Sequence, residues 1–205
     1  DNHAGTEGGA ICLVANGALF ENVTSENNTA AKGGSSYIEG NNTLIQNCTL
    51  SNNKAILTDQ ENSGVGGALD VVGNDCHLFN VTSDNNTAYR GGSTFIRGDN
   101  TVVENCNLDN NSATLRGGGL NIAGDHCIVT NVSVSNNKAG TMGGGLYILS
   151  NGTTVTNITA DNNTAERGGS AFINGSNVKV INGELNNNKA LYNASNPDYS
   201  GLGGG

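Results

Sequence analysis

Apolar residues return along this chain in fixed columns. One column runs Leu13, Ile38, Val71, Ile96, Ile122, Ile148 and Ile173, and a second runs Phe20, Ile45, Leu78, Val103, Val129, Val155 and Val180. A third follows at Val23, Cys48, Val81, Cys106, Val132, Ile158 and Gly183, and an alanine closes each unit, from Ala30 and Ala55 to Ala190. Between the columns polar and apolar residues alternate, which is the period of a β-strand. The punctuation repeats as well. Gly pairs stand at Gly8–Gly9, Gly33–Gly34, Gly66–Gly67, Gly91–Gly92, Gly117–Gly118, Gly143–Gly144 and Gly168–Gly169. Asn pairs run from Asn27–Asn28 to Asn187–Asn188, and both series advance by 25, 33, 25, 26, 26 and 25 residues.

Seven units therefore share one register, and the longer step holds an eight-residue insertion within residues 56–65. A unit this short cannot bury its own apolar face, so its neighbours must bury it by stacking. The expected fold is all-β: a parallel β-helix of about seven coils, each of three short strands joined by turns. The coils stack about 4.8 Å apart, giving a rod about 34 Å long. Right-handed crossovers are strongly preferred for parallel strands. A leucine-rich repeat has a period in the same range, but it needs several Leu per unit where these units carry Val, Ile, Gly and Ala. A single domain over residues 1–205 is expected. Repeat phrases cut off at both termini predict uncapped ends. Insertions are predicted at 56–65 and 191–202.

The Asn preceding each pair by five residues, at Asn22, Asn47, Asn80, Asn105, Asn131, Asn157 and Asn182, is expected to form a structural ladder. Stacked Asn side chains bond to the coils above and below, and Asn tolerates the left-handed backbone of a tight corner. The chain contains 36 Asn and 31 Gly. Such bias on its own would suggest disorder, but the apolar columns point to a packed core. Net charge is −9 and the charged fraction only 13%, which argues against a nucleic-acid partner. No run of about 18 apolar residues could span a membrane, and no signal-peptide pattern opens the sequence.

The phrase Ser51-Asn52-Asn53-Lys54-Ala55, followed by Gly66-Gly67-Ala68-Leu69, resembles the FxNNxA…GGA[ILV] repeats of polymorphic outer-membrane proteins. It resembles still more closely the Asn/Thr-rich adhesin-like surface proteins of methanogenic archaea. The resemblance covers all seven units and departs from the bacterial repeat in placing Ser25, Leu50 or Ala160 where Phe is preferred. It implies a right-handed β-helix on the cell surface, without enzymatic activity and without a cofactor.

Several residues are candidates for chemistry. Thirteen N-glycosylation sequons occur; Asn41, Asn151, Asn174 and Asn193, in turns or the C-terminal loop, are the expected acceptors. The outward column of the first strand holds Cys12, Tyr37, Asp70, Phe95, Asn121, Tyr147 and Phe172. Its aromatics are expected to be exposed, as a stripe for sugar rings or for a neighbouring molecule; the plainer alternative is stacking along the sheet. Glu39, Asp70 and Arg97 fall on consecutive coils of that face, the only carboxylate cluster that would suit a polysaccharide lyase or hydrolase. Lys32, Arg90, Arg116 and Arg167 each precede a Gly pair and are expected to neutralise acidic turns. The five Cys show no metal-ligand spacing, and Cys48–Cys106 and Cys76–Cys127, each two coils apart, are too distant for disulfides; small buried hydrophobes are expected, with Cys12 open to an intermolecular disulfide. The insertions, with Tyr192 and Tyr199 in the second, are placed for recognition or lateral contact. The sequence thus predicts a non-enzymatic extracellular repeat protein, adhesin-like or a fibre subunit that self-associates end to end or laterally. A glycan or host-surface ligand is the expected partner, and a polysaccharide-binding or -cleaving enzyme is the alternative.

Overall fold

The computed structural model describes residues 1–195, 197 and 200–204. They form a parallel β-solenoid of seven coils without an α-helix. The first sheet stacks seven strands in chain order, from Ile11–Leu13 through Ser36–Ile38, Leu69–Val71, Thr94–Ile96, Leu120–Ile122 and Leu146–Ile148 to Ala171–Ile173. The second runs from Leu19–Glu21 to Lys179–Glu184, and the third from Thr29–Ala30 to Lys189–Ala190. Thr24–Glu26, Thr49–Ser51 and Thr82–Asp84 extend the second sheet around a corner.

Every pairing joins equivalent residues of successive units: Leu13 to Ile38, Ile38 to Val71, Phe20 to Ile45 and Ala30 to Ala55. Register is fixed because a slip of one residue would turn each apolar column outward. The core is one narrow file containing Phe20, Ile38, Ile45, Leu69, Leu78, Ile96, Leu120 and Ile148. Cys48, Cys76, Cys106 and Cys127 lie in it as free thiols, and Cys12 is exposed and free. Burial pushes the Cys106 and Cys127 thiols up to about 11.

The corners follow from residue type. Asn22, Asn47, Asn80, Asn105, Asn131, Asn157 and Asn182 have φ of +53° to +55°, and the first Asn of every pair is also left-handed. These two residues turn the chain around the second-sheet edge. Gly33 shows why the Gly pair admits no side chain. It has φ +57°, and a Cβ there would stand 2.1 Å from the Ser36 carbonyl oxygen. The insertion at 56–65 is absorbed outside the coil, since Ala30–Ala55 and Lys32–Val65 remain paired on either side of it.

Candidate functional site

The asparagines build two different ladders. The column expected to be structural is exposed and interrupted. Its Nδ2–Oδ1 bonds join Asn80 to Asn47, Asn131 to Asn105, Asn157 to Asn131 and Asn182 to Asn157, at 2.8–3.2 Å. The continuous buried ladder is instead the second Asn of each pair. Asn28, Asn53, Asn86, Asn111, Asn137 and Asn163 are each at most 2% exposed. The Oδ1 of each accepts the backbone N–H of the preceding member, from Asn2→Asn28 through to Asn163→Asn188, at 2.7–3.0 Å. The spare Nδ2 hydrogens reach carbonyls inside the coil, as from Asn86 to Leu50 and from Asn137 to Leu108. A third file crosses the turn after the first sheet with the opposite sense. There the later coil donates: Asn41 N–H to Asn16 Oδ1, Asn74 to Asn41, Asp99 to Asn74, Asp125 to Asp99 and Asn151 to Asp125, at 2.7–2.8 Å.

This third file places two of the four expected glycan acceptors. Asn41 Oδ1 holds the Asn74 N–H, Asn151 Oδ1 holds the Ser176 N–H at 2.9 Å, and the hydroxyl residues of their sequons, Thr43 and Thr153, are buried. Asn193 commits its Nδ2 to Glu166 Oε1 at 2.6 Å. Asn174 stands exposed, its backbone N–H bonded to the Ile148 carbonyl and its side chain without a hydrogen bond among the described residues.

The outward stripe of the first sheet is where sequence and structure differ most. Tyr37, Asp70, Phe95 and Tyr147 are in register as expected, but they are buried, at 6, 0, 6 and 4% exposure; Phe172 is half-buried. The stripe is therefore not an exposed aromatic surface. Its cover is the basic column before the Gly pairs. Lys32 lies over Tyr37, Arg90 over Phe95, Arg116 over Tyr147 and Arg167 over Phe172, with 4.8–5.8 Å from cation to ring centroid. These are cation–π distances, and the long stems of such side chains shield apolar surface. So the arginines roof a second, outer core, and among the described residues Arg90 and Arg116 meet no carboxylate. Lys32 covers its ring and also meets an acid, its Nζ standing 3.0 Å from Glu7.

Asp70 is enclosed in the same layer and forms a bidentate pair with Arg97, whose Nε lies 2.9 Å from Oδ1 and whose Nη2 bonds Oδ2. Burial pushes the Asp70 carboxyl up to about 6, although the Arg97 guanidinium pulls the other way. The Glu39–Asp70–Arg97 group is therefore not an open carboxylate cluster; one of its two acids is sealed and paired. His77 meets Glu104 at 3.3 Å and packs edge-on to Phe79.

Two surface features remain open. The insertion at 56–65 forms one wall of a groove of about 620 Å³ lined by Lys54, Ile56, Leu57, Thr87, Tyr89 and Thr114. The sequence placed the insertion for recognition or lateral contact but did not single out Tyr89, which follows its Ala column by one residue and has no aromatic counterpart in the other units. In the second insertion Tyr192 is exposed, and Tyr199 lies outside the described residues. The other feature is the last coil, whose inward side chains Ile173, Val180 and Leu185 are 40, 47 and 38% exposed. Among the described residues no cluster of three or more His, Cys, Asp or Glu has the geometry to hold a metal ion. No family model, curated protein or solved structure matches this chain.

Proposed function

We propose that this chain is a rigid, non-enzymatic repeat element of a cell surface that works by stacking into a fibre or sheath. The observation that carries the reading is axial: strands, core and asparagine files all repeat coil by coil in one direction. A further coil, whether of the same polypeptide or of a second copy, would continue the same register and the same bonds. The resemblance to adhesin-like archaeal surface repeats and polymorphic outer-membrane proteins supports an extracellular location. The exposed Asn174 sequon suits a glycoprotein there. Adhesion is the second reading, favoured by the groove beside residues 56–65, which offers Tyr89 and the Lys54 ammonium to a glycan.

Electron microscopy of the purified chain at two concentrations tests this. Continuous fibres that lengthen with concentration are the expected result. Short separate rods at both concentrations would refute end-to-end stacking and leave adhesion as the reading, to be tested on glycan arrays.

A further inference from the structure

Two charged columns run along the outside of the solenoid, and their patterns match coil for coil. The residue before each Asn pair reads Glu26, Ser51, Asp84, Asp109, Ser135, Asp161, Asn186. The residue before each following Gly pair reads Lys32, Val65, Arg90, Arg116, Met142, Arg167, Leu202. Every coil with an acid in the first column has a base in the second, and every coil neutral in one is neutral in the other. The strand and bridge register confirms that each series is one straight axial file: Glu26–Ser51–Asp84 in one, and Lys32–Val65–Arg90 and Arg116–Met142–Arg167 in the other.

The match does not serve pairing within the molecule. Among the described residues neither Arg90 nor Arg116 meets a carboxylate, and Lys32 pairs with Glu7, not Glu26. The two columns face different ways, because the bases fold over the first sheet while the acids stand on the corner after the second. Three of the four acids are steadied locally instead. Asp84 accepts from Asn85 and Asn110 at 2.8 and 3.0 Å, Asp109 from Ser133 and the Ser135 N–H, and Asp161 from the Asn186 N–H. The rings beneath the bases hold the guanidiniums just as firmly. Asp84, Asp109 and Asp161 on one file and the bases on the other are thus held in place, half-exposed and of opposite sign, on a common axial spacing.

We infer that a second copy of this chain packs alongside, axes parallel and coils level, with the acidic file of one copy against the basic file of the other. This deepens the reading of an assembling surface protein by supplying a lateral contact. Level coils match all seven positions. A parallel neighbour displaced by one coil keeps a single charge pair. An antiparallel neighbour recovers four only after slipping by one coil, which leaves a coil of each rod uncovered. Exposed pairs contribute little singly, so the contact needs the whole file in register and is sensitive to salt. The contact is also heterologous, so it continues into rows rather than closing at a dimer.

The test is sedimentation of the intact chain at about 0.01 M and about 1 M salt, where the Debye length falls from about 30 Å to about 3 Å. The native chain should associate laterally in low salt and separate in high salt. End-to-end stacking through apolar surface should survive high salt, so the two contacts fail independently. Arg90→Glu with Arg116→Glu, and separately Asp84→Lys with Asp109→Lys, should each weaken association about tenfold or more. An equimolar mixture of the two variants should restore it. Native chain that never associates laterally in low salt, or variants that associate as well as the native chain, would overturn the inference, as would a mixture that stays dispersed. Oxidative cross-linking in a Cys12→Ser background gives a second measurement with milder changes. Asp84→Cys should link to Arg90→Cys of another copy, and linkage to Arg116→Cys instead would overturn the level parallel arrangement.

Discussion

The buried and exposed asparagine files use one residue type, on one repeat, a few residues apart in every coil, yet they do different work. At Asn131 the side chain bonds its neighbours in water, where an amide loses little when a partner leaves. What the fold needs there is the left-handed corner, φ +53°. At Asn111 the side chain is 1% exposed, and its Oδ1 takes both the N–H and the Nδ2 of Asn86. Water cannot replace those bonds. The difference teaches that a repeated polar residue stabilises a solenoid through its bonds only where it is dry, and through its backbone preference where it is wet.

The comparison is sharpest where the dry polar group carries a charge. Arg97→Ala would leave Asp70 buried without its partner and should cost about 3–5 kcal/mol in chemical denaturation; Asp70→Asn should cost much less. The same pair fixes a pH effect. The folded pKa of Asp70 is raised above its ordinary 3.8 to about 6. Its contribution to stability is therefore fully present below about 4 and is lost as pH rises through about 6. Between pH 7 and pH 5 the native chain should gain stability from this residue. The gain should be absent in Asp70→Asn, as read from denaturation midpoints at the two pH values.

Next in size is Asn111→Ala, which strands the buried Asn86 N–H and takes its donor from the buried Ser83 carbonyl, and should cost about 2–5 kcal/mol. At the exposed corner, Asn131→Ala should cost about 1–2 kcal/mol by forcing an alanine to positive φ. Asn131→Gly should recover most of that loss, because glycine accepts the corner although it breaks the side-chain ladder. Equal losses for Asn131→Ala and Asn111→Ala would break the distinction, and a failure of Asn131→Gly to recover would show that the exposed bonds matter after all.

The coil architecture was legible because its signal is redundant: three apolar columns, the alanine column and two kinds of pair agree on one register. The exposed ladder was read and the buried one missed because both Asn columns recur with the same step, and spacing alone cannot say which amide faces inward. Alternation supplied the correct side for Asn28 only in relation to Ala30, two residues on, whose burial the repeat already indicated. The outer core escaped for a different reason. Strand alternation distinguishes the two sides of a sheet, but not whether a side chain from a neighbouring column then covers the outward side. A signal was present: Lys32 and Tyr37, Arg90 and Phe95, and Arg167 and Phe172 are each five residues apart, one cation reaching back over one ring across the Gly corner. Asp70 and Arg97 were legible as neighbours on consecutive coils, but the enclosure of Asp70 became visible only with the cover over the stripe.

The buried asparagine file and the exposed file at the turn after the first sheet also run in opposite senses. Along Asn28 to Asn188 the earlier coil donates to the later one, and along Asn16 to Asn151 the later coil donates to the earlier. Each file is a line of aligned bond dipoles, and the two lines point against each other. An α-helix, whose peptide dipoles all add, accumulates partial charge at its tips. In this solenoid the two files offset one another at every added coil, so lengthening the rod builds no growing field at its ends from them. A polymer of such coils can extend without its tips becoming steadily more attractive to ions or more repellent to the next unit.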